Sequence, residues 1–274
     1  MKLILNLSKK KTGTTFFHDM FKKNEKALSE VYAPIIKEYY IFPRPTKNYI
    51  ELGNNLKIGD THSIQDKKFV EKIINDKFRI SIISKINNSP KKDLIKINNE
   101  RIKYLFSEIN SKYFIISDPN FLDDFRYWSD QDTTNIIKNF NPFYISIIRD
   151  PVQSALSLIN MSGKKFNDEE IKNTFKRQYS VIEDLLIFKK FFGNPNILLI
   201  NFEEFISNTD KVFENIFNYC QIDLRKITNQ KNPNPGTYQA SDYAISTKEK
   251  LENIYNKCDN SFFKLMKRKK TLII

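Results

Sequence analysis

The sequence predicts an α/β fold, three layers deep, with a mostly parallel central sheet and helices on both of its faces. Three observations carry this expectation. Short runs rich in Ile, Phe and Tyr recur along the chain, each near-continuously apolar, as strands buried on both faces of a parallel sheet are. Between them lie longer segments with the apolar spacing of amphipathic helices. Strand and helix candidates also alternate, which is the pattern of a doubly wound sheet.

Taken in order, the strand candidates are residues 3–7, 79–84 ("RISIIS"), 113–116 ("YFII"), 143–148 ("FYISII") and 196–200 ("NILLI"). Helices are expected over 14–23, 67–75, 98–109, 133–139 and 151–161, then a long one over 168–192, and two more over 210–220 and 247–267. No internal repeat or linker interrupts the series, so a single domain over 1–274 is expected. The turn-rich stretch 229–236 ("NQKNPNPG") reads as a functional loop rather than a boundary.

Bulk composition limits the function classes. The chain of 274 residues is 40% hydrophobic with 23 Phe, 13 Tyr, 6 Gly and 10 Pro, enough for a large packed core and unlike a disordered protein. Lys and Arg outnumber acids 45 to 32, a formal charge of +13, which favours an anionic partner. An AT-rich coding sequence inflates lysine without functional consequence, so charge alone decides nothing. The 2 cysteines, Cys220 and Cys258, exclude a disulfide framework and argue against structural zinc, and the 2 histidines argue against a histidine-based metal centre. The N-terminal apolar run is too short for a signal peptide, and no stretch approaches the about 20 apolar residues of a membrane span. A cytoplasmic protein is the expectation.

In doubly wound sheets ligands sit beyond the carboxyl ends of strands, so the residues directly after each strand are the informative ones. Two such places stand out. The first is the opening segment "LILNLSKKKTGTTFFHDMF", residues 3–21. Thr12, Gly13, Thr14 and Thr15 fall where the first orphan amides of a helix point outward, which together with the helix dipole suits a phosphate-like group. Lys10 and Lys11 bring charge to the same spot. The pattern differs from the triphosphate loop G-x-x-x-x-G-K-[ST], because the lysine stands before the glycine. A threonine-capped helix preceded by solvated lysines is the alternative. The second place is "ISIIRDPVQSALSL", residues 145–158. Arg149 ends a buried strand, Pro151 pre-forms a helical turn, and Ser157 follows the arginine by eight residues. A strand–turn–helix unit brings a guanidinium and a hydroxyl to one anion at that spacing, and arginine's planar fork suits a terminal phosphate. A strand-end arginine paired with Asp150 or Asp124 is the bland reading.

Together the two segments resemble the sulfotransferases that use 3′-phosphoadenosine-5′-phosphosulfate (PAPS). Their 5′-phosphosulfate loop, approximately P-K-[ST]-G-T-T, is matched by "KKTGTT", with Lys10 where proline often stands. Their R-[ND]-P motif with a serine eight residues on is matched by Arg149, Asp150, Pro151 and Ser157. The stretch 197–222 is similar to the family's last strand, "YEDL" turn and following helix, with Phe202 replacing the usual tyrosine. The resemblance runs from the first residues to about residue 222 and implies a P-loop-like phosphosulfate loop. Lys10 to Thr15 would then hold the 5′-phosphosulfate of PAPS, Lys11 would contact the oxygen between phosphate and sulfate, and Arg149 and Ser157 would bind the 3′-phosphate. Lys231 would bind the 3′-phosphate or serve in a lid over the nucleotide. No metal is required for such a transfer.

Sulfuryl transfer to a hydroxyl or amine needs a group that takes the acceptor's proton. "KEYYIF", residues 37–42, resembles the segment that supplies the catalytic glutamate in glycan sulfotransferases, which points to Glu38. Glu30 is a further candidate, His62 is the rival, since the small-molecule branch uses a histidine, and His18 reads as a packing or capping residue. The expected acceptor is a carbohydrate or other hydroxyl compound. Tyr39, Tyr40, Tyr49, Tyr127 and Trp128 are candidate sugar-stacking groups, although most such aromatics belong to cores. No nucleic-acid partner is expected, and the oligomeric state is open. Two other readings stand at this point: a nucleotide kinase with an aberrant loop, and a basic nucleotide- or nucleic-acid-binding module without turnover.

Overall fold

The computed structural model describes residues 1–24, 30–33, 91–107, 109–119, 121–128, 130–223 and 242–274. The described elements are β1 (Lys2–Asn6), α1 (Thr14–Lys23), β2 (Val31–Tyr32), α2 (Lys91–Phe106), β3 (Tyr113–Ser117), α3 (Phe121–Trp128), α4 (Gln131–Lys138), β4 (Phe143–Ile148), α5 (Pro151–Ser162), α6 (Asp168–Tyr179), α7 (Val181–Phe191), β5 (Ile197–Asn201), α8 (Phe202–Ser207), α9 (Thr209–Cys220), α10 (Asp242–Tyr255), α11 (Ser261–Lys269) and β6 (Thr271–Ile273). The expected strand at 79–84, the helix at 67–75 and the loop at 229–236 lie outside the described residues.

The sheet has six strands in the order β2-β3-β1-β4-β5-β6. Pairs β2/β3 and β4/β5 are parallel, and β6 runs antiparallel to β5, with Leu199 opposite Leu272. All five residues of β3 and of β5 are buried, which is why they read as unbroken apolar runs instead of alternating ones. The chain forms two compact units, one of residues 1–5 and 18–143, the other of residues 6–17 and 144–274.

In the first unit, the Tyr113 N–H donates to the Glu30 carbonyl at 2.9 Å, extending the β2/β3 ladder. The Phe106 ring meets Phe114 and Phe140 edge-on, at 5.5 and 5.2 Å between centroids, and so packs α2 against β3. Helix α4 starts on a reciprocal cap: Asp130 accepts from the Thr133 amide, and the Asp130 amide donates to Thr133 Oγ. The buried Thr133 hydroxyl also lies 2.6 Å from Asn99 Oδ1 of α2.

The second unit carries the turn at residues 10–15 and the whole of 145–158. Helix α5 is bounded as its sequence dictates. Asp150 accepts from the amides of Val152 and Gln153, Pro151 occupies the first turn, and Gly163 ends the helix at φ 65°. One face of α5 (Val152, Ala155, Ile159) buries against Ile171 and Phe175 of α6 and Leu251 of α10. At the other end of the unit, Phe16 and Phe17 of α1 meet Phe205 of α8, and Phe205 in turn meets Phe213 of α9.

Two expected helices are divided. The stretch 168–192 breaks at Ser180, which has ψ 3° and separates α6 from α7. The Ser180 hydroxyl lies 3.2 Å from the Arg177 carbonyl and 2.8 Å from Asp184 Oδ2, a side-chain competition with the backbone typical of serine at helix ends. The stretch 247–267 is interrupted between α10 and α11, where Asp259 accepts the Ser261 amide at 3.0 Å. Strand β6 was not expected, since its three residues follow a lysine run and pair only through contacts distant in sequence.

Candidate anion-binding site

The turn between β1 and α1 is built on backbone conformations that side chains rarely adopt. Lys11 stands at φ 64° and Gly13 at φ 84°, with Thr12 between them. Gly13 has a second reason to be glycine. A Cβ there would lie 3.2 Å from ring carbons of both Phe202 and Phe205, tighter than ordinary contact. The Gly13 carbonyl accepts the Phe17 amide at 2.8 Å, so the helix begins immediately after it.

Four attachments fix the turn within its unit. The Leu7 amide donates to the Ile145 carbonyl at 2.7 Å, continuing the strand ladder to β4. The Ile147 amide donates to Ser8 Oγ at 2.6 Å, and that hydroxyl donates in turn to Asn6 Oδ1. The Lys9 ammonium, 2% exposed, pairs with Asp184 Oδ2 at 2.6 Å. Finally, Arg149 Nη1 donates to the Lys11 carbonyl at 2.8 Å, while the Arg149 guanidinium carbon sits 4.3 Å from the centre of the Phe202 ring.

The structure therefore brings the two sequence-predicted segments together. Lys10 to Thr15 form the turn, and Arg149, at the end of β4, reaches its backbone. Ser157 is buried two turns into α5. The Thr12 hydroxyl donates to the Lys9 carbonyl at 2.6 Å, so its hydrogen braces the turn. Thr14 is buried and Thr15 exposed. Of the two acids that the bland reading pairs with Arg149, Asp150 caps α5 and pairs with Lys267 at 3.1 Å, while the side chain of Asp124 lies outside the described residues. Glu38, His62 and Lys231 lie outside the described residues, as do Tyr39, Tyr40, Tyr49 and the side chains of Tyr127 and Trp128. His18 is buried in α1, consistent with a packing residue.

Sequence reasoning passed over Lys9, the first of three consecutive lysines. Nothing in a lysine run marks which member turns inward. It also passed over Phe202 as the platform under Arg149, although the residue's place directly after β5 was the available signal.

Beyond β4 and β5 lies a cleft of about 370 Å³ whose lining includes Asp150, Gln153, Asn201, Glu204, Lys267 and Lys270. Its charges are cross-paired: Lys267 with Asp150, and Lys270 with Glu204 at 3.0 Å. The Lys270 bond, and after it the bond from Asn208, hold the Glu204 carboxyl below the usual glutamate range. Among the described residues no group of three or more His, Cys, Asp or Glu is arranged to hold a metal ion, and no helix is long and apolar enough to cross a membrane.

No family model matches the chain, and no curated protein matches it. Solved structures similar to the chain include two sulfotransferase domains. The sulfotransferase domain from the Synechococcus PCC 7002 olefin synthase shares 14% identity, covering 93% of this chain and 94% of that one, with a TM-score of 0.49. The sulfotransferase domain from the curacin biosynthetic pathway shares 14% identity, covering 89% of this chain and 82% of that one, with a TM-score of 0.42. With TM-scores below 0.5, neither likeness bears on what the chain binds or does.

Proposed function

We propose that the chain is a sulfotransferase that moves a sulfuryl group from PAPS to a hydroxyl acceptor, with a carbohydrate as the first candidate. The observation that carries this reading is the 2.8 Å bond from Arg149 to the Lys11 carbonyl. Two segments more than a hundred residues apart, each an anion-binding candidate by its own sequence, meet at one place, in the order and setting that the sequence resemblance implies. The donor set fits a phosphosulfate nucleotide: one guanidinium, the Lys10 and Lys11 ammonium groups, the exposed Thr15 and the first amides of α1.

In this reading the turn receives the 5′-phosphosulfate and Arg149 with Ser157 receives the 3′-phosphate. Lys11 offsets the charge that develops on the oxygen between phosphorus and sulfur as the sulfur–oxygen bond breaks. The acceptor oxygen forms the new bond to sulfur, and Glu38 takes its proton. The nucleotide leaves as 3′-phosphoadenosine-5′-phosphate.

Calorimetry with that product, run beside 5′-AMP and beside ATP with magnesium, tests the reading. Binding that requires the 3′-phosphate and weakens in Arg149→Ala supports it. Equal affinity for AMP or ATP overturns it and brings the kinase reading forward.

A further inference from the structure

We infer that Lys9 is a positioning residue: through Asp184 it holds the β1–α1 turn in its anion-receiving conformation before any ligand arrives. The inference rests on the donor-binding reading above for what the turn receives, but the positioning itself is a property of the free chain.

Lys9, Lys10 and Lys11 follow one another on a short turn, and Arg149 adds a fourth cation at the Lys11 carbonyl. Charges so crowded repel each other, and an open turn would relieve the repulsion. Lys9 is handled differently from its neighbours. Its ammonium is nine-tenths buried and more, and meets Asp184 Oδ2 at 2.6 Å. Asp184 belongs to the first turn of α7, where a carboxylate is favoured by the helix dipole. The Ser180 hydroxyl, 2.8 Å from the same oxygen, fixes the carboxylate's rotamer. The backbone of Lys9 is engaged as well, since its carbonyl accepts the Thr12 hydroxyl. One residue thus connects α7 to the stretch containing the two positive-φ positions, Lys11 and Gly13. Lys10 and Lys11 are left half-buried on the turn. A buried pair of this kind limits the alternatives open to the turn, and apparent affinity scales with the fraction of molecules already in the receiving form.

The test compares Lys9→Met, Asp184→Asn and Lys9→Arg with the parent by hydrogen exchange of the peptide spanning 8–17 in the ligand-free protein, and by calorimetry with 3′-phosphoadenosine-5′-phosphate. Exchange of that peptide should speed up in Lys9→Met and Asp184→Asn while peptides of α5 and α6 stay unchanged. Both variants should bind the nucleotide about tenfold more weakly, because a receiving population cut to a tenth cuts affinity tenfold. Lys9→Arg, which keeps the charge, should recover part of both. A turn that exchanges as in the parent overturns the inference. So does tighter binding by Asp184→Asn, which would mean that Lys9 is itself a ligand contact restrained by the acid. If Lys9→Met does not fold, Ser180→Ala decides, since it leaves both charges in place: faster exchange of 8–17 supports the inference and unchanged exchange overturns it. Should the parent bind no nucleotide, the proposed function fails, while the exchange comparison still decides the role of Lys9.

Discussion

Arg149 donates to the Lys11 carbonyl at 2.8 Å while its guanidinium lies 4.3 Å from the Phe202 ring centre. A single side chain thereby joins the loop after β1, the end of β4 and the residue that follows β5. Lysine in its place keeps the charge but loses the planar fork and the stack. Arg149→Lys is expected to weaken nucleotide binding roughly ten- to a hundredfold, the equivalent of about 1.5–3 kcal/mol for a charged hydrogen bond. Calorimetry measures this; parent-like affinity would show that only charge matters at this position.

If the proposed function holds, Lys11 separates catalysis from stability. At φ 64° its backbone favours glycine. Strain relief of about 1 kcal/mol in Lys11→Gly is opposed by glycine's larger unfolded-state freedom, so stability should stay within about 1 kcal/mol of the parent. Sulfuryl transfer, in contrast, should fall about 10²–10³-fold, as for removal of one electrostatic stabiliser. Thermal unfolding and a transfer assay on the same samples check both halves. Retained transfer would remove Lys11 from the mechanism.

Gly13→Ala places a methyl 3.2 Å from Phe202 and Phe205 at a φ of 84°. Both effects act in one direction, and a loss of about 1–3 kcal/mol is expected. Denaturant unfolding reads it out. Nucleotide affinity should fall as well, because any shift of the two rings also displaces the platform under Arg149.

Glu204 supplies the pH dependence. Its carboxyl is held below the ordinary range by Lys270 and Asn208. A depressed folded-state pKa contributes stability that is complete above the unfolded glutamate value and is lost as pH falls through the folded one. Glu204→Gln is therefore expected to be less stable than the parent at neutral pH and to converge with it in acid. A difference that shows no decline anywhere as pH is lowered through the acid range, by denaturant unfolding across pH, would contradict this assignment.

Much of the frame was legible because its causes are local. Strands β3, β4 and β5 and helices α1, α5 and α9 fall within a residue or two of the stretches that apolar patterning marks. The Asp-Pro start of α5 also encodes its cap. The break at Ser180 was not legible. No glycine or proline marks it, and the serine's bond to Asp184 spans the four-residue spacing that an unbroken helix also allows. The break near Asp259 did carry an Asx signal, in "CDNS", that helical periodicity overrode.

The sequence by itself determined an alternating α/β chain, a Lys/Thr/Gly turn at residues 10–15 that opens a helix, and an arginine at the end of a buried strand. Neighbouring residues settle such matters through periodicity, capping and turn chemistry. Only the tertiary structure decided that Lys9 turns inward to an acid 175 residues away and that Phe202 supports Arg149. Three adjacent lysines are equivalent until folding places a carboxylate beside one of them. Burying an ammonium without a partner costs several kcal/mol, so the lysine that meets the acid is the one that goes inside, and Lys10 and Lys11 stay half-buried.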